Sequence, residues 1–218
     1  MGEQSGRTRR RGEELITAIH AAVLEEVVEV GVGRLTMEGI GRRAATPRTT
    51  LYRRWSDPIE VLLDALYHSH PIEEPAPGAD DLRGDLIRAL RLMVTWALSP
   101  AGRAVAAILT DPMGAPKVSE ALFERVFATK GGTFTSTVLR HYAERGHFPA
   151  DLLTPVVADI GEALVTKRLI DGAPPTEADL ADIVDQAILP AIGLGAPFTR
   201  HPTRPGPPAG NTGGPAPA

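Results

Sequence analysis

The side chains best suited to bind a charged partner are concentrated in one short segment, residues 48–54. Arginine, threonine and tyrosine can all donate hydrogen bonds to phosphate oxygens or to base edges. Leu51 and Trp55 are four residues apart and predict the buried face of a helix. The donors on the opposite, solvent-facing side are Arg48, Thr49, Tyr52 and Arg53. A charged face on an ordinary helical hairpin has the same pattern, so spacing alone leaves DNA binding and simple solvation open.

Two short predicted helices with a tight turn between them would position these donors. Thr36 is suited to cap the first helix, and Thr46 is predicted to cap the second, with Pro47 at its first position. The inward stripe of the first helix has the spacing i, i+3, i+7: Met37, Ile40 and Ala44. This order is typical of a helix-turn-helix whose second helix enters a DNA groove.

Further features follow one another in a recognisable order over residues 15–66. They are an apolar first helix that ends at Gly31, then Leu35-Thr36-Met37, Ile40, Arg43-Ala44, the segment Thr50-Leu51-Tyr52-Arg53-Arg54-Trp55, and a fourth helix from Asp57 to Leu66. In this order they resemble the DNA-binding domain of the TetR family of bacterial transcriptional regulators.

The resemblance implies specific roles. Thr36, Tyr52 and Arg54 would contact phosphates, Arg48 and Thr49 would point at base edges, and Leu51 and Trp55 would belong to the core. The candidate DNA-binding residues are Thr36, Arg48, Thr49, Thr50, Tyr52, Arg53 and Arg54.

Three positions depart from the family pattern. Ala45 replaces the usual turn glycine, which costs roughly 1 kcal/mol if its φ is positive. Pro47 replaces a serine, so capping is expected to pass to Thr46. Pro58 replaces a lysine that grips a phosphate. Asp57 remains as the cap of that helix, and the free N–H groups there could still face an anion.

Charge is distributed unevenly along the chain. Residues 1–55 hold ten Arg and seven Glu, a net charge of +3, and residues 56–218 carry −7, giving −4 in total. The basic end coincides with the helix-turn-helix. The acidic charge of the rest of the chain, which forms the body of the protein, would discourage non-specific DNA binding. The chain has no cysteine, which excludes disulfide and thiol chemistry. We find no apolar run long enough for a membrane span and no signal peptide, and therefore expect a cytoplasmic protein without a membrane partner.

We expect an all-α fold of about nine helices in five segments. Residues 1–12 form a flexible arm that either contacts DNA or is an untethered tail, with a first helix over residues 13–30 behind it. Residues 13–69 form the DNA-binding domain, 70–79 a Pro-rich linker, 80–192 a helical effector-binding and dimerisation domain, and 193–218 a disordered tail. Gly131-Gly132 could bend or break the long helix predicted over residues 117–145.

The last two predicted helices have broad apolar faces. In the TetR family such helices pair with their twins in a second subunit as a four-helix bundle, so the resemblance predicts a homodimer. The alternative is that these faces pack only inside the monomer. The candidate interface residues are Leu153, Val157, Ile160, Leu164, Leu180, Ile183, Val184 and Ala187.

Large aromatic and methionine side chains are rare in this Ala-, Leu- and Val-rich body, and are candidates to line an apolar pocket. They are Met93, Trp96, Ile108, Phe123 and Phe127. We expect a mainly hydrophobic, planar effector held by one or two polar contacts. The alternative is that each of these side chains simply fills the core.

No pattern in the sequence indicates catalysis. His68 and His70 are two residues apart and cannot share a helix face, so we expect no metal site, and no cofactor motif is present. The sequence therefore predicts a DNA-binding regulator, a repressor released by a small molecule, rather than an enzyme. The alternatives are a regulator that needs no ligand and a helical scaffold that has kept the fold.

Overall fold

All regular secondary structure in the described residues is helical. The structure, a computed structural model, describes residues 3–71, 80–110, 116–130 and 134–195. The α-helices are α1 (Glu3–Val30), α2 (Met37–Arg43), α3 (Arg48–Tyr52), α4 (Pro58–Ser69), α5 (Leu82–Ala97), α6 (Pro100–Leu109), α7 (Pro116–Leu122), α8 (Phe134–Glu144), α9 (Pro155–Ile170), α10 (Glu177–Ile183) and α11 (Leu189–Ala191). π-helical turns extend α7 over Phe123–Phe127 and join α10 to α11 over Val184–Ile188. The predicted all-α class is confirmed.

The first helix is longer than the sequence indicated. α1 begins at Glu3, ahead of the predicted start at residue 13, so the segment expected to be a flexible arm is helical from that residue. Its Glu, Gln and Arg residues are good helix formers, and no proline interrupts them. Gly31 ends the helix with φ +79°, a conformation that glycine adopts without steric cost.

Short polar side chains begin most of the other helices. Thr36 accepts a hydrogen bond from the N–H of Gly39 at 3.0 Å, and Asp57 accepts one from Glu60 at 2.9 Å, as the sequence predicts. In the body the same role falls to Asp81, Ser99, Thr154 and Thr176.

The buried side chains form two clusters, and their division does not follow the predicted domain boundary. The first cluster combines α1–α4 with side chains of α6 and α7, among them Ala104 and Ile108. The second combines α5 with α8, α9 and α10. Trp96, at the end of α5, packs against both. The DNA-binding helices therefore share a core with part of the body, which gives the two regions a direct mechanical connection.

None of the described helices is by itself both long enough and apolar enough to cross a membrane.

Candidate functional site

Arg43 fixes the first helix of the helix-turn-helix to α1. Its Nε donates to Glu26 Oε2 at 2.8 Å, and its Nη2 donates to Glu29. The Glu26 side chain is only 5% exposed, so Arg43 supplies the positive charge that this buried carboxylate requires. These hydrogen bonds, first to Glu26 and then to Glu29, raise the pKa of Arg43, which stays charged.

The turn between α2 and α3 differs from the predicted capping pattern. Ala45 has φ 49°, the left-handed conformation that makes alanine costly at this position. Thr46 does not cap α3, so that prediction is wrong, because its Oγ1 donates back to the carbonyl of Ala44 at 2.9 Å. Pro47 precedes α3 instead of occupying its first position, and α3 has no side-chain cap.

The exposed face of α3 carries the expected donors. Leu51 and Trp55 are buried as predicted. Of the candidate DNA-binding residues only Thr50 is half-buried, and the others are exposed: Thr36, Arg48, Thr49, Tyr52, Arg53 and Arg54. Within the described part of the chain, the side chains of Arg48, Tyr52 and Arg53 form no intramolecular hydrogen bond or ion pair. Their donors are therefore available to an external anion.

The start of α4 does not offer the anion site that the sequence left open. Asp57 occupies the N–H of Glu60, and Glu60 Oε2 accepts from the N–H of Ser56 at 3.0 Å. This backbone hydrogen bond lowers the pKa of Glu60. Two carboxylates thus lie where a phosphate contact was considered.

Trp55 is anchored through a polar cluster beneath α3. Its Nε1 donates to Asp64 Oδ2 at 3.0 Å, and Nε2 of His20 lies 3.0 Å from the same oxygen. Burial lowers the pKa of His20, and Asp64 opposes that effect. Potential ligand atoms of His20, Asp64 and His68 lie within 4.8 Å of one another, a grouping that the sequence analysis missed by pairing His68 with His70. Because the Asp64 carboxylate already accepts from Trp55 and contacts His20, the cluster is explained as an anchor for Trp55, which follows α3.

A cavity of about 630 Å³ lies in the body between α5, α6, α8, α9 and the segment that follows α7. It is lined by four of the five predicted effector residues: Met93, Trp96, Phe123 and Phe127. Ile108 does not line it and is instead buried in the first core cluster, with 2% of its surface exposed. The periodicity of α6 indicated a buried face, but not which neighbour that face contacts.

The predicted dimer residues are divided between core and surface. Leu180, Ile183 and Val184 are buried in the monomer and cannot contact a partner without repacking, so they are removed from the candidate interface. Half-buried positions are Leu153, Val157, Ile160 and Ala187. Leu164 is 40% exposed and remains a candidate.

Sequence reasoning missed several residues at the candidate dimer surface and at the cavity. Val156 and Ile170 are 75% and 72% exposed, and their spacing along α9 indicates a single outward stripe with Ala163 between them. The cavity also contains Phe134, together with Asp159 and Glu162 from α9. The i, i+3 spacing of the two acids could have shown that they share a face, but not that this face borders a cavity.

Comparisons with known proteins extend over most of the chain. A family model described as the tetracyclin repressor-like C-terminal domain matches residues 76–187. The DNA-binding transcriptional repressor TetR of Mycobacteroides abscessus is 28% identical over 192 residues, which cover 85% of this chain and 98% of that protein. An uncharacterized HTH-type transcriptional regulator of Mycobacterium bovis is 24% identical over 177 residues, covering 81% of this chain and 87% of its own. The crystal structure of a TetR transcriptional regulator from Agrobacterium tumefaciens aligns with TM-score 0.58 and 18% identity, over 80% of this chain and 92% of that one.

Proposed function

We propose that this chain, which belongs to the TetR family of DNA-binding transcriptional regulators, acts as a homodimeric repressor. It binds an operator through α3 and releases it when a hydrophobic small molecule fills the cavity in the body. The named relatives are transcriptional regulators, and the proposal assigns no catalytic step to the chain. Because the operator is DNA, its site of action is the cytoplasm.

The proposal rests chiefly on the exposed and unpartnered donors of α3. Arg48 and Arg53 bring positive charge, and Tyr52 brings a hydroxyl, onto a face whose opposite side is fixed by Leu51 and Trp55. Arginine can form paired hydrogen bonds with guanine, while contacts to phosphate set the register on the duplex. A scaffold protein would have no need to keep these donors free.

Dimerisation is supported by the outward apolar stripe of α9. Val156, Ala163 and Ile170 form this stripe, and Leu164 exposes apolar surface beside it; apolar surface exposed in this way marks an interaction surface. One short reading helix contacts only one half-site, whereas two related helices can contact successive turns of the major groove. A second copy of the chain is therefore the partner that this surface fits best.

Release by a ligand requires a structural connection between the cavity and the DNA-binding helices α1–α4. Helix α6 provides this connection. Val105 contributes both to the lining of the cavity and to the core cluster that contains α1. Trp96 also lines the cavity and packs against both core clusters. A ligand that binds one position of α6 and Trp96 more tightly than another shifts the conformational equilibrium by that difference in affinity.

The test selects genomic DNA fragments with the full-length protein and maps the protected bases. We expect an inverted repeat whose half-sites are separated by about one helical turn. A reporter driven from that site should be silenced by the wild-type protein. Retention of fragments without a common sequence would favour the scaffold alternative. Repression that no cavity ligand relieves would favour the ligand-independent regulator.

A further inference from the structure

Two helices of the DNA-binding domain bring three side chains that can bind a metal close together. His20 lies on α1, and Asp64 and His68, at positions i and i+4, share one face of α4. His20 Nε2 is 3.0 Å from Asp64 Oδ2, and His68 Nδ1 is 3.3 Å from Asp64 Oδ1. One potential ligand atom of each residue lies within 4.8 Å of the other two. The packing of α1 against α4 therefore creates a cluster of ligand atoms.

The spacing of these atoms is close to that of a tetrahedral metal site. Zn–N and Zn–O bonds of about 2.0 Å place neighbouring ligand atoms about 3.3 Å apart. Both contacts of Asp64 already have nearly this length. The remaining pair, the two histidines, has ring centroids 5.3 Å apart, and the His68 side chain is 59% exposed, so it has room to move. A small movement of one exposed side chain would complete three ligand positions.

The anchor of Trp55 uses only one oxygen of the Asp64 carboxylate. Trp55 Nε1 donates to Oδ2, whereas Oδ1 faces His68. Asp64 can therefore bind a metal through Oδ1 and still accept the hydrogen bond from Trp55, because an ionised carboxylate has about four lone-pair positions. Burial lowers the pKa of His20, which keeps its ring neutral near pH 7, and the neutral ring is the form that binds a metal.

A surface pocket gives access to the cluster. Asp64 and His68 line this pocket, which has a volume of about 380 Å³, so a water molecule can occupy the fourth ligand position. Glu60 also lines the pocket, and Arg54 and Arg125 bring two positive charges to it. Because the arginines oppose the attraction of a dication, we expect micromolar rather than nanomolar affinity.

From this geometry we propose that His20, Asp64 and His68 form a binding site for a divalent transition-metal ion such as Zn²⁺. Two imidazole nitrogens and one carboxylate oxygen suit Zn²⁺ far better than Mg²⁺ or Ca²⁺. The bound ion joins α1 to α4 next to the anchor of Trp55, and in this way stabilises the DNA-binding helices. The site is separate from the cavity in the body, and the inference does not depend on release of DNA by a small molecule.

The experiment titrates Zn²⁺ by calorimetry into the full-length protein, prepared without a histidine tag and dialysed against EDTA and then against metal-free buffer. His68→Gln removes the exposed ligand and leaves the core unchanged. His147→Gln is the matched control, since His147 is an exposed histidine in the turn after α8. Thermal unfolding with and without Zn²⁺, and the visible absorption spectrum with Co²⁺, are measured on the same three proteins.

We expect the wild-type protein to bind one Zn²⁺ per chain and to show the Co²⁺ spectrum of a tetrahedral site. Its Tm should rise by about 5 °C at a Zn²⁺ concentration about 100 times the Kd. His68→Gln should lose at least about tenfold in affinity and most of the rise in Tm, whereas His147→Gln should behave like the wild type. Absence of Zn²⁺ binding to the wild-type protein, or equal Zn²⁺ affinities of the wild type and His68→Gln, overturns the inference.

Discussion

Two tyrosines, one in the core of the body and one on α3, give a paired test of how the structure separates stability from DNA binding. Tyr142 and Asp85 are fully buried, and the tyrosine hydroxyl donates to Asp85 Oδ2 at 2.7 Å. The same hydroxyl accepts from the N–H of Asp81 at 3.1 Å, so it joins α8 to the first turn of α5. Tyr52 is 56% exposed, and its hydroxyl has no intramolecular partner among the described residues.

Tyr142→Phe removes one oxygen and keeps the ring, so an empty cavity makes no large contribution to the change in the free energy of unfolding. A hydrogen bond to a charged group contributes about 1.5–3 kcal/mol, and the N–H of Asp81 also loses its acceptor. We expect the free energy of unfolding to fall by about 2–3 kcal/mol. This corresponds to a decrease in Tm of roughly 5–10 °C for a chain of this size.

Tyr52→Phe is the matched control, since it makes the same chemical change where no internal bond is lost. We expect its free energy of unfolding to stay within about 0.5 kcal/mol of wild type, while its affinity for every DNA sequence falls alike. Tyr142→Phe should show the reverse, with normal operator affinity at temperatures well below its Tm. Urea unfolding and fluorescence anisotropy with labelled operator measure both properties. Equal stability losses, or an unchanged unfolding midpoint for Tyr142→Phe, would refute this reasoning.

Three further predictions concern other parts of the molecule. Burial lowers the pKa of His20, so the folded state favours the neutral ring. The stability that the neutral ring contributes is therefore full above the ordinary histidine pKa of 6.5 and is lost as the pH falls below that value. The midpoint of urea unfolding should therefore decrease as the pH is lowered from about 7.5 to about 5.5, and His20→Gln should make the midpoint less dependent on pH. The same pH dependence in His20→Gln as in the wild type would contradict this prediction. Ala45→Gly should stabilise the protein by up to about 1 kcal/mol, because glycine adopts the left-handed conformation without steric strain. Ala44→Gly, at φ −78°, is the control and should destabilise the protein. A loss of stability in Ala45→Gly would show that the turn is not strained. In sedimentation analysis Leu164→Glu should give monomers, and Leu15→Glu, on α1, should stay dimeric. A dimeric Leu164→Glu would remove Leu164 and the surface around it from the candidate interface.

The features that follow from local rules could be predicted from the sequence. Thr36 and Asp57 cap their helices because a short polar side chain reaches the orphan N–H groups of its own first turn. Leu51 and Trp55 are buried together because four residues make about one helical turn. Thr46 failed the same rule because its hydroxyl had a second acceptor, the carbonyl of Ala44, within the turn.

The identity of the neighbour across each buried face could not be predicted. Periodicity showed that the last predicted helix has an apolar face, but Val184, in the π-helical turn after α10, packs in the core of its own chain rather than against a partner. Ile108 was likewise expected at a pocket and lies in the core shared with α1. The sequence did not single out Asp159 and Glu162, because only the packing of α9 beside α5 and α8 places them at a cavity.

The central claim is that the exposed face of α3 reads the base sequence of DNA. Its most direct test compares Arg48→Ala with Arg103→Ala, an exposed arginine on α6, by anisotropy titration at one fixed salt concentration. The DNA is the selected operator and its single-base variants. We predict that Arg48→Ala loses about 1–3 kcal/mol of binding free energy and discriminates less between the variants, whereas Arg103→Ala retains wild-type affinity and preference. A folded Arg48→Ala protein with wild-type affinity and unchanged base preference would contradict the account.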